Sequence, residues 1–269
     1  MPVSLQEIIA ATRHRLAEAQ RTASVHELER LAAAHVPRGF RRALQRKSEN
    51  GTAIIAELKK ASPSRGLIRA DFQVQSLAAG FEQAGAAALS VLTDEKFFQG
   101  SLADLQLASQ STSLPCLRKD FMIDEFQVLE AKASRADAIL LIVAALTDSE
   151  LTRLRARATE LELDVLCEVH DADELRRAAD LGFDLIGVNN RDLRTFHVDL
   201  NTALHLADLF PQNALRVAES GIHTEQDLAA LRAAGYRAFL IGESLMKASS
   251  PGGALQELVT EHPKAVVVK

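Results

Sequence analysis

The chain has 269 residues, 47% hydrophobic and 25% charged, a globular composition long enough for one large core. No apolar run reaches the roughly 20 residues of a membrane-spanning helix, and Met1 to Glu7 lacks a basic-then-apolar secretory pattern, so a soluble cytoplasmic protein is expected. A net charge of -5, with lysines and arginines scattered among acids, argues against a nucleic-acid module.

The first fifty residues read as a helical extension. Ser4 is followed three places later by Glu7 and Ser24 by Glu27, the capping-box pattern that satisfies free backbone donors at a helix start, so two helices are expected there. Leu5, Ile8, Ile9 and Leu16 form an apolar stripe on the first and Leu28 and Leu31 on the second, and each stripe must dock on something. Pro37-Arg38-Gly39 ends the second helix. The basic run Arg41 to Lys47 contains Phe40 and Leu44 four apart on its flank, which favours a solvated helix over an anion site.

From Thr52 onward short apolar runs alternate with segments of helical period. The runs are Ala53 to Ala56, Ala87 to Leu92, Leu114 to Leu117, Ala138 to Val143, Asp164 to Cys167, Leu185 to Val188, Leu215 to Ala218 and Ala238 to Ile241. Eight runs at the spacing of one strand, one helix and two loops predict a single (β/α)8 barrel over residues 51–269, with residues 1–50 as a two-helix extension packed on it. A doubly wound open sheet competes, but no two glycines stand in G-x-G spacing, and Gly80 to Gly85 is followed by alanines where a P-loop needs Lys and Ser or Thr.

Alternation of side chains along each strand places the chemistry. Glu57 and Lys59 share a face with Ile55, Lys119 with Leu117, Glu168 with Leu166, Asn189 with Gly187, and Glu219 with Val217. Each polar residue closes its strand, so two lysines and three carboxylates are expected at the C-terminal mouth, where barrel active sites lie. Burying an unpaired charge costs several kcal/mol, which makes a functional cluster a better reading than a structural one; a rim salt bridge is the rival for any single member, Glu219 first. By the same parity Cys116 and Cys167 face the helices as reduced core residues, with no partners at zinc spacing. Ser220-Gly221 and Gly242-Glu243-Ser244 follow the seventh and eighth strands, where backbone N–H groups commonly hold phosphate. His170, two residues after Glu168, suggests a metal pair, but no further inward histidine stands at a strand end; a place behind the site residues or in a loop is expected, with no metal and no cofactor.

The run Ile55 to Gly66, IAELKKASPSRG, resembles the first-strand signature of the indole-3-glycerol-phosphate synthase family. The likeness continues through Thr93 to Ser101, Leu117 to Phe121, Cys167 to His170, Gly187 to Leu193, Ala218 to Ile222 and Leu240 to Met246. Arg65 departs from a common lysine, and Ser134-Arg135 from a usual glycine. The resemblance implies ring closure of 1-(2-carboxyphenylamino)-1-deoxy-D-ribulose 5-phosphate with loss of carbon dioxide and water, a step of tryptophan biosynthesis. It implies catalytic roles for Glu57, Lys59, Lys119, Glu168 and Asn189. Ser62, Phe98, Phe121, Arg191, Glu219 and Ser220 are implied as substrate contacts. Lys59, Ser220, Gly221, Gly242, Glu243 (through its backbone N–H) and Ser244 are implied around the phosphate.

Two rival readings share parts of this pattern: another phosphate-binding barrel such as phosphoribosylanthranilate isomerase, and a non-catalytic barrel. The first has the last two turns but not the paired lysines with Glu57 and Glu168; the second has no reason to keep every inward charge. The expected partner is a phosphorylated small molecule, not nucleic acid or membrane. A monomer is expected, with at most weak association with other enzymes of the pathway.

Overall fold

In the computed structural model, which describes residues 3–260, eight parallel strands close into a barrel. They are β1 (Ala53–Leu58), β2 (Ala88–Leu92), β3 (Cys116–Lys119), β4 (Ala138–Ile142), β5 (Asp164–Val169), β6 (Leu185–Asn189), β7 (Leu215–Glu219) and β8 (Ala238–Ile241). Each pairs with its neighbours in sequence, and β1 closes the ring on β8 with Ala53 opposite Ala238 and Ala56 opposite Ile241. All eight anticipated strands are present. The third begins two residues later than its apolar run, because Pro115 has no N–H to give the ladder and pairing starts after it.

Alternation divides the strands into two apolar layers. Ile55, Leu117, Leu140, Leu166, Val217 and Leu240 fill the barrel interior. Ile54, Val91, Cys116, Ile139, Cys167, Ile186 and Phe239 pack against the surrounding helices, so both cysteines lie beneath the helix layer as free thiols. Burial pushes the Cys116 thiol up to about 12.

Three helices precede the barrel: α1 (Leu5–Thr22), α2 (Val25–Ala33) and α3 (Phe40–Glu49). Both arms of the capping box form at Ser4. At Ser24 only the serine arm forms, because Arg30 holds the Glu27 carboxylate at 2.6 and 2.8 Å. The third helix carries the basic run on its solvated side, and its apolar flank does structural work: Phe40 and Leu44 are fully buried among the interior layer and seal the N-terminal end of the barrel. Burying two such side chains stabilises the closed floor by about 1.5–3 kcal/mol each. At Arg135 the backbone takes φ +68°, a left-handed conformation that explains why glycine is usual there.

Below the floor, Arg38 and Asp137 form a buried clamp. Asp137 accepts from Arg38 N at 2.7 Å, from Arg38 Nε at 3.0 and 3.1 Å and from Cys116 N at 2.6 Å. The other Arg38 donors reach Ser109 O, Thr112 O and Ser109 Oγ at 2.8–3.2 Å.

Candidate active site

At the opposite end the strand ends enclose a cavity of about 250 Å³. Lys119, closing β3, points its ammonium between Glu168 of β5 and Glu219 of β7, with Nζ donating to carboxylate oxygens at 2.7 and 3.1 Å. Asn189 of β6 fixes the other oxygen of Glu168 through Nδ2 at 3.2 Å, while its own Oδ1 accepts from Arg191 N at 3.0 Å. Lys59, just past β1, donates to Glu57 Oε1 at 2.6 Å. The parity that aims these groups inward also explains two glycines. A Cβ on Gly187 would stand 2.1 Å from Glu219 Oε1, and one on Gly242 would stand 2.4 Å from Glu57 Oε1, so only glycine leaves these carboxylates their places.

Burial and mutual charge set the protonation states. Burial pulls Lys119 toward losing its proton, but Glu168, Glu219 and Glu57 outweigh it and hold its pKa above that of an ordinary lysine. Burial likewise opposes ionisation of Glu168, and the charge of Lys119 together with His170 overcomes it, leaving this carboxyl well below its usual range. Glu219 goes the other way: burial and the like charge of Glu168 exceed the help of Lys119 and push it up to about 7. Glu219 Oε1 is buried without a hydrogen-bond partner, as is Ser62 Oγ, and both residues line the cavity.

The two turns expected to hold an anion stand side by side. Ser220 and Gly221 take φ +66° and +78° in succession after β7, and Ser244 Oγ donates to Ile222 O at 3.4 Å, tying that turn to the one after β8. The Glu243 carboxylate is turned away into cations, accepting from Lys247 Nζ at 2.6 Å and Arg191 Nη2 at 3.4 Å and forming an ion pair with Arg65 Nε at 3.0 Å. Across the mouth, Phe98 and Phe121 form an aromatic wall with ring centroids 6.4 Å apart. The loop after β1 folds back as a small antiparallel pair, Ala61–Ser62 with Gly66–Leu67, which the sequence reading did not anticipate.

Every site residue expected from the sequence borders this one cavity. Others were missed. Leu5 and Ile8 of α1 form part of its wall, so the stripe that had to dock on something docks at the mouth. Arg15 of α1 reaches Asp120 at 2.7 Å and Asp94 at 3.4 Å, and Asp120 also accepts from Thr93 Oγ1, Arg118 Nη2 and Phe121 N at 2.8–3.0 Å. Asp120 follows Lys119 directly, so this network braces the end of β3 from behind. Its only trace in sequence is the helical spacing that brings Arg15 to one side of α1.

A barrel with paired lysines and carboxylates at its C-terminal mouth defines the class: a (β/α)8 enzyme of acid–base chemistry. Among solved structures, a 3-hexulose-6-phosphate synthase matches with a TM-score of 0.61 at 14% identity over 77% of this chain and 97% of that one. A thiamine phosphate pyrophosphorylase from Pyrococcus furiosus matches with a TM-score of 0.58 at 16% identity over 77% and 93%. At such identities these likenesses show the fold alone. The family model for Indole-3-glycerol phosphate synthase matches residues 5–258. The protein of that name from Koribacter versatilis (strain Ellin345) is 61% identical over 96% of this chain and 100% of its own. The one from Acidithiobacillus ferrooxidans (strain ATCC 53993 / BNL-5-31) is 51% identical over 94% and 97%. The chain belongs to the indole-3-glycerol phosphate synthase family.

Proposed function

We propose that the cavity closes the indole ring of 1-(2-carboxyphenylamino)-1-deoxy-D-ribulose 5-phosphate, yielding indole-3-glycerol phosphate, carbon dioxide and water, with Lys119 as the first acid. The observation that carries this reading is the Lys119 ammonium held between Glu168 and Glu219. Attack of the carboxyl-bearing ring carbon on the ketone places negative charge on the ketone oxygen, and a buried ammonium is suited to protonate it. Carbon dioxide then leaves and the bonding pair stays with the ring carbon, so the cationic ring is neutralised and regains aromaticity. Dehydration needs a second acid for the departing hydroxyl and a base for the adjacent proton. Lys59, partnered by Glu57, supplies the acid; Glu168, ionised and oriented by Asn189, supplies the base. Glu57 also stabilises the cationic intermediates.

Ser220, Gly221, Gly242, Ser244 and the Glu243 N–H receive the phosphate together with Lys59. Arg191 takes the anthranilate carboxylate, Phe98 and Phe121 flank the ring, and Ser62 and Glu219 offer their open oxygens to the substrate. The same reading makes the enzyme a cytoplasmic monomer; no described helix is long and apolar enough to cross a membrane. Incubating the purified protein with the substrate and following indole fluorescence tests the reaction directly. Fluorescence rising in step with carbon dioxide release supports it, and an unchanged substrate overturns it.

A further inference from the structure

One titratable group packed against the site takes no part in these steps. His170, just past β5, has a side chain only 12% exposed and does not line the cavity. Its backbone N–H and its Nδ1 both reach Glu174 Oε2, at 2.8 and 3.0 Å. Glu174 is fixed in turn on the helix Ala172–Asp180, where its own N–H donates to the capping carboxylate of Asp171 at 2.9 Å. A carboxylate only accepts, so Nδ1 carries a proton. The clamp turns the far edge of the ring toward Glu168, with Nε2 3.3 Å from Oε1. Nε2 is buried and lacks an aligned hydrogen bond, so its contact with Glu168 is one of charge.

We propose that His170, clamped by Glu174, is a positioning residue for Glu168: as an imidazolium it keeps that carboxylate ionised and aimed while Lys119 is without its proton. The inference rests on the reading of Glu168 as the base. When Lys119 protonates the ketone, Glu168 and Glu219 lose their shared cation inside a buried site, and a buried carboxylate without a cation takes up a proton. A protonated Glu168 cannot accept another at the dehydration step. A second cation on the side away from the substrate removes that conflict, because it stays charged throughout the cycle. The groups facing His170 are Glu168 from β5 and Glu174 from the helix. Lys119 acts on it through Glu168, and Arg194 through Glu174. Burial opposes the charge, and the two carboxylates overcome it, lifting the histidine from 6.5 to about 10.

The test uses the whole enzyme with Glu174→Gln and His170→Gln. His170→Gln is expected to lower kcat roughly 10- to 100-fold with KM unchanged, the pattern of lost positioning rather than lost binding. In Glu174→Gln, the alkaline limb of kcat is expected to move down by about one pH unit as the imidazolium loses one of its carboxylates. Nitrogen-15 NMR of the substrate-free protein at pH 8 should show both ring nitrogens of His170 protonated. A neutral His170 at pH 8, or variants that match the wild-type kcat at every pH, would overturn the proposal. Should His170→Gln fail to fold, Glu174→Gln and the NMR titration still decide. A wild-type protein inert toward the substrate overturns the reaction assignment instead, and is told apart because here the wild type turns over and only the variants differ.

Discussion

The two ends of the barrel both bury charge, and they treat it differently. At the floor, Asp137 takes hydrogen bonds from Arg38 and from Cys116 N on both oxygens, and Arg38 spends its remaining donors on Ser109 and Thr112. At the mouth, Lys119 is shared by two carboxylates while Glu219 Oε1, Ser62 Oγ and His170 Nε2 stay buried without hydrogen bonds. A saturated pair can only hold the structure together. A cluster with open hydrogen-bonding capacity has been left something to bind, which is the physical difference between a structural ion pair and a site.

The contrast is broken most severely by exchanging the expected outcomes at its two poles. Lys119→Ala should fold, bind substrate with little change in KM, and lose kcat by on the order of 10²- to 10⁴-fold. In rapid-quench single turnovers with carboxyl-labelled substrate, it should release carbon dioxide at that reduced rate, whereas Glu168→Gln should release it before the product forms. Early release from Lys119→Ala at the wild-type rate would transfer the first acid step to Lys59.

At the floor the expected loss is of stability. Asp137→Ala leaves the half-buried Arg38 guanidinium and Cys116 N without their acceptor, for a destabilisation of about 3 kcal/mol in urea titrations. The kcat of the folded fraction should not change. The pH dependence has a definite sign. Despite burial, hydrogen bonds from His35 and Arg38 hold the Asp137 carboxyl below its ordinary 3.8, so its contribution is present above that pH and is lost as pH falls through the lowered value. A variant that kept its stability but lost its activity would erase the distinction between the two ends.

How much of this could be read from the chain follows the same division. The mouth was legible because alternation is a local rule: two residues apart on a strand means one face, and Glu57 with Lys59, or Leu166 with Glu168, declare themselves without any knowledge of neighbours. The floor was not. Arg38 and Asp137 are joined across 99 positions, and the brace behind β3 at the mouth was hidden in the same way, with Arg15 and Asp120 105 apart; no periodicity links such pairs. Phe40 and Leu44 did show their shared face, but a four-residue spacing cannot say whether that face meets solvent or the end of a barrel. His170 was visible as a neighbour of Glu168; its clamp needed Glu174, four residues on, to come round on a helix that starts between them.

Gly242→Asp probes the mouth by geometry as well as charge. Any Cβ there would stand 2.4 Å from Glu57 Oε1 and 2.9 Å from Glu57 Cβ, and the new carboxylate would also face the phosphate. KM should rise by roughly 10- to 100-fold, the scale of one lost or repelled charged contact. Inorganic phosphate should bind the wild type between the two turns and bind this variant more weakly. An unchanged KM would remove the turn after β8 from the phosphate site.

The smallest expected effect is a gain. Glu219 is pushed from 4.5 up to about 7 by burial, so the folded protein favours its neutral form. Below pH 4.5 it is protonated in both the folded and unfolded chains and contributes nothing to the balance. Between pH 4.5 and 7 the unfolded chain has released the proton while the folded chain still holds it, so stability falls as pH rises; above 7 the full loss persists. Glu219→Gln removes the ionisation and keeps the shape, and Lys119 retains Glu168 as its counter-charge. Its melting temperature should therefore exceed that of the wild type by on the order of a few degrees at pH 8, and match it at pH 4. Equal melting temperatures at both pH values would mean that Glu219 is as well accommodated as Asp137. A gain at pH 4 as well would place its origin in packing rather than in a charge kept at the mouth against the interest of the fold.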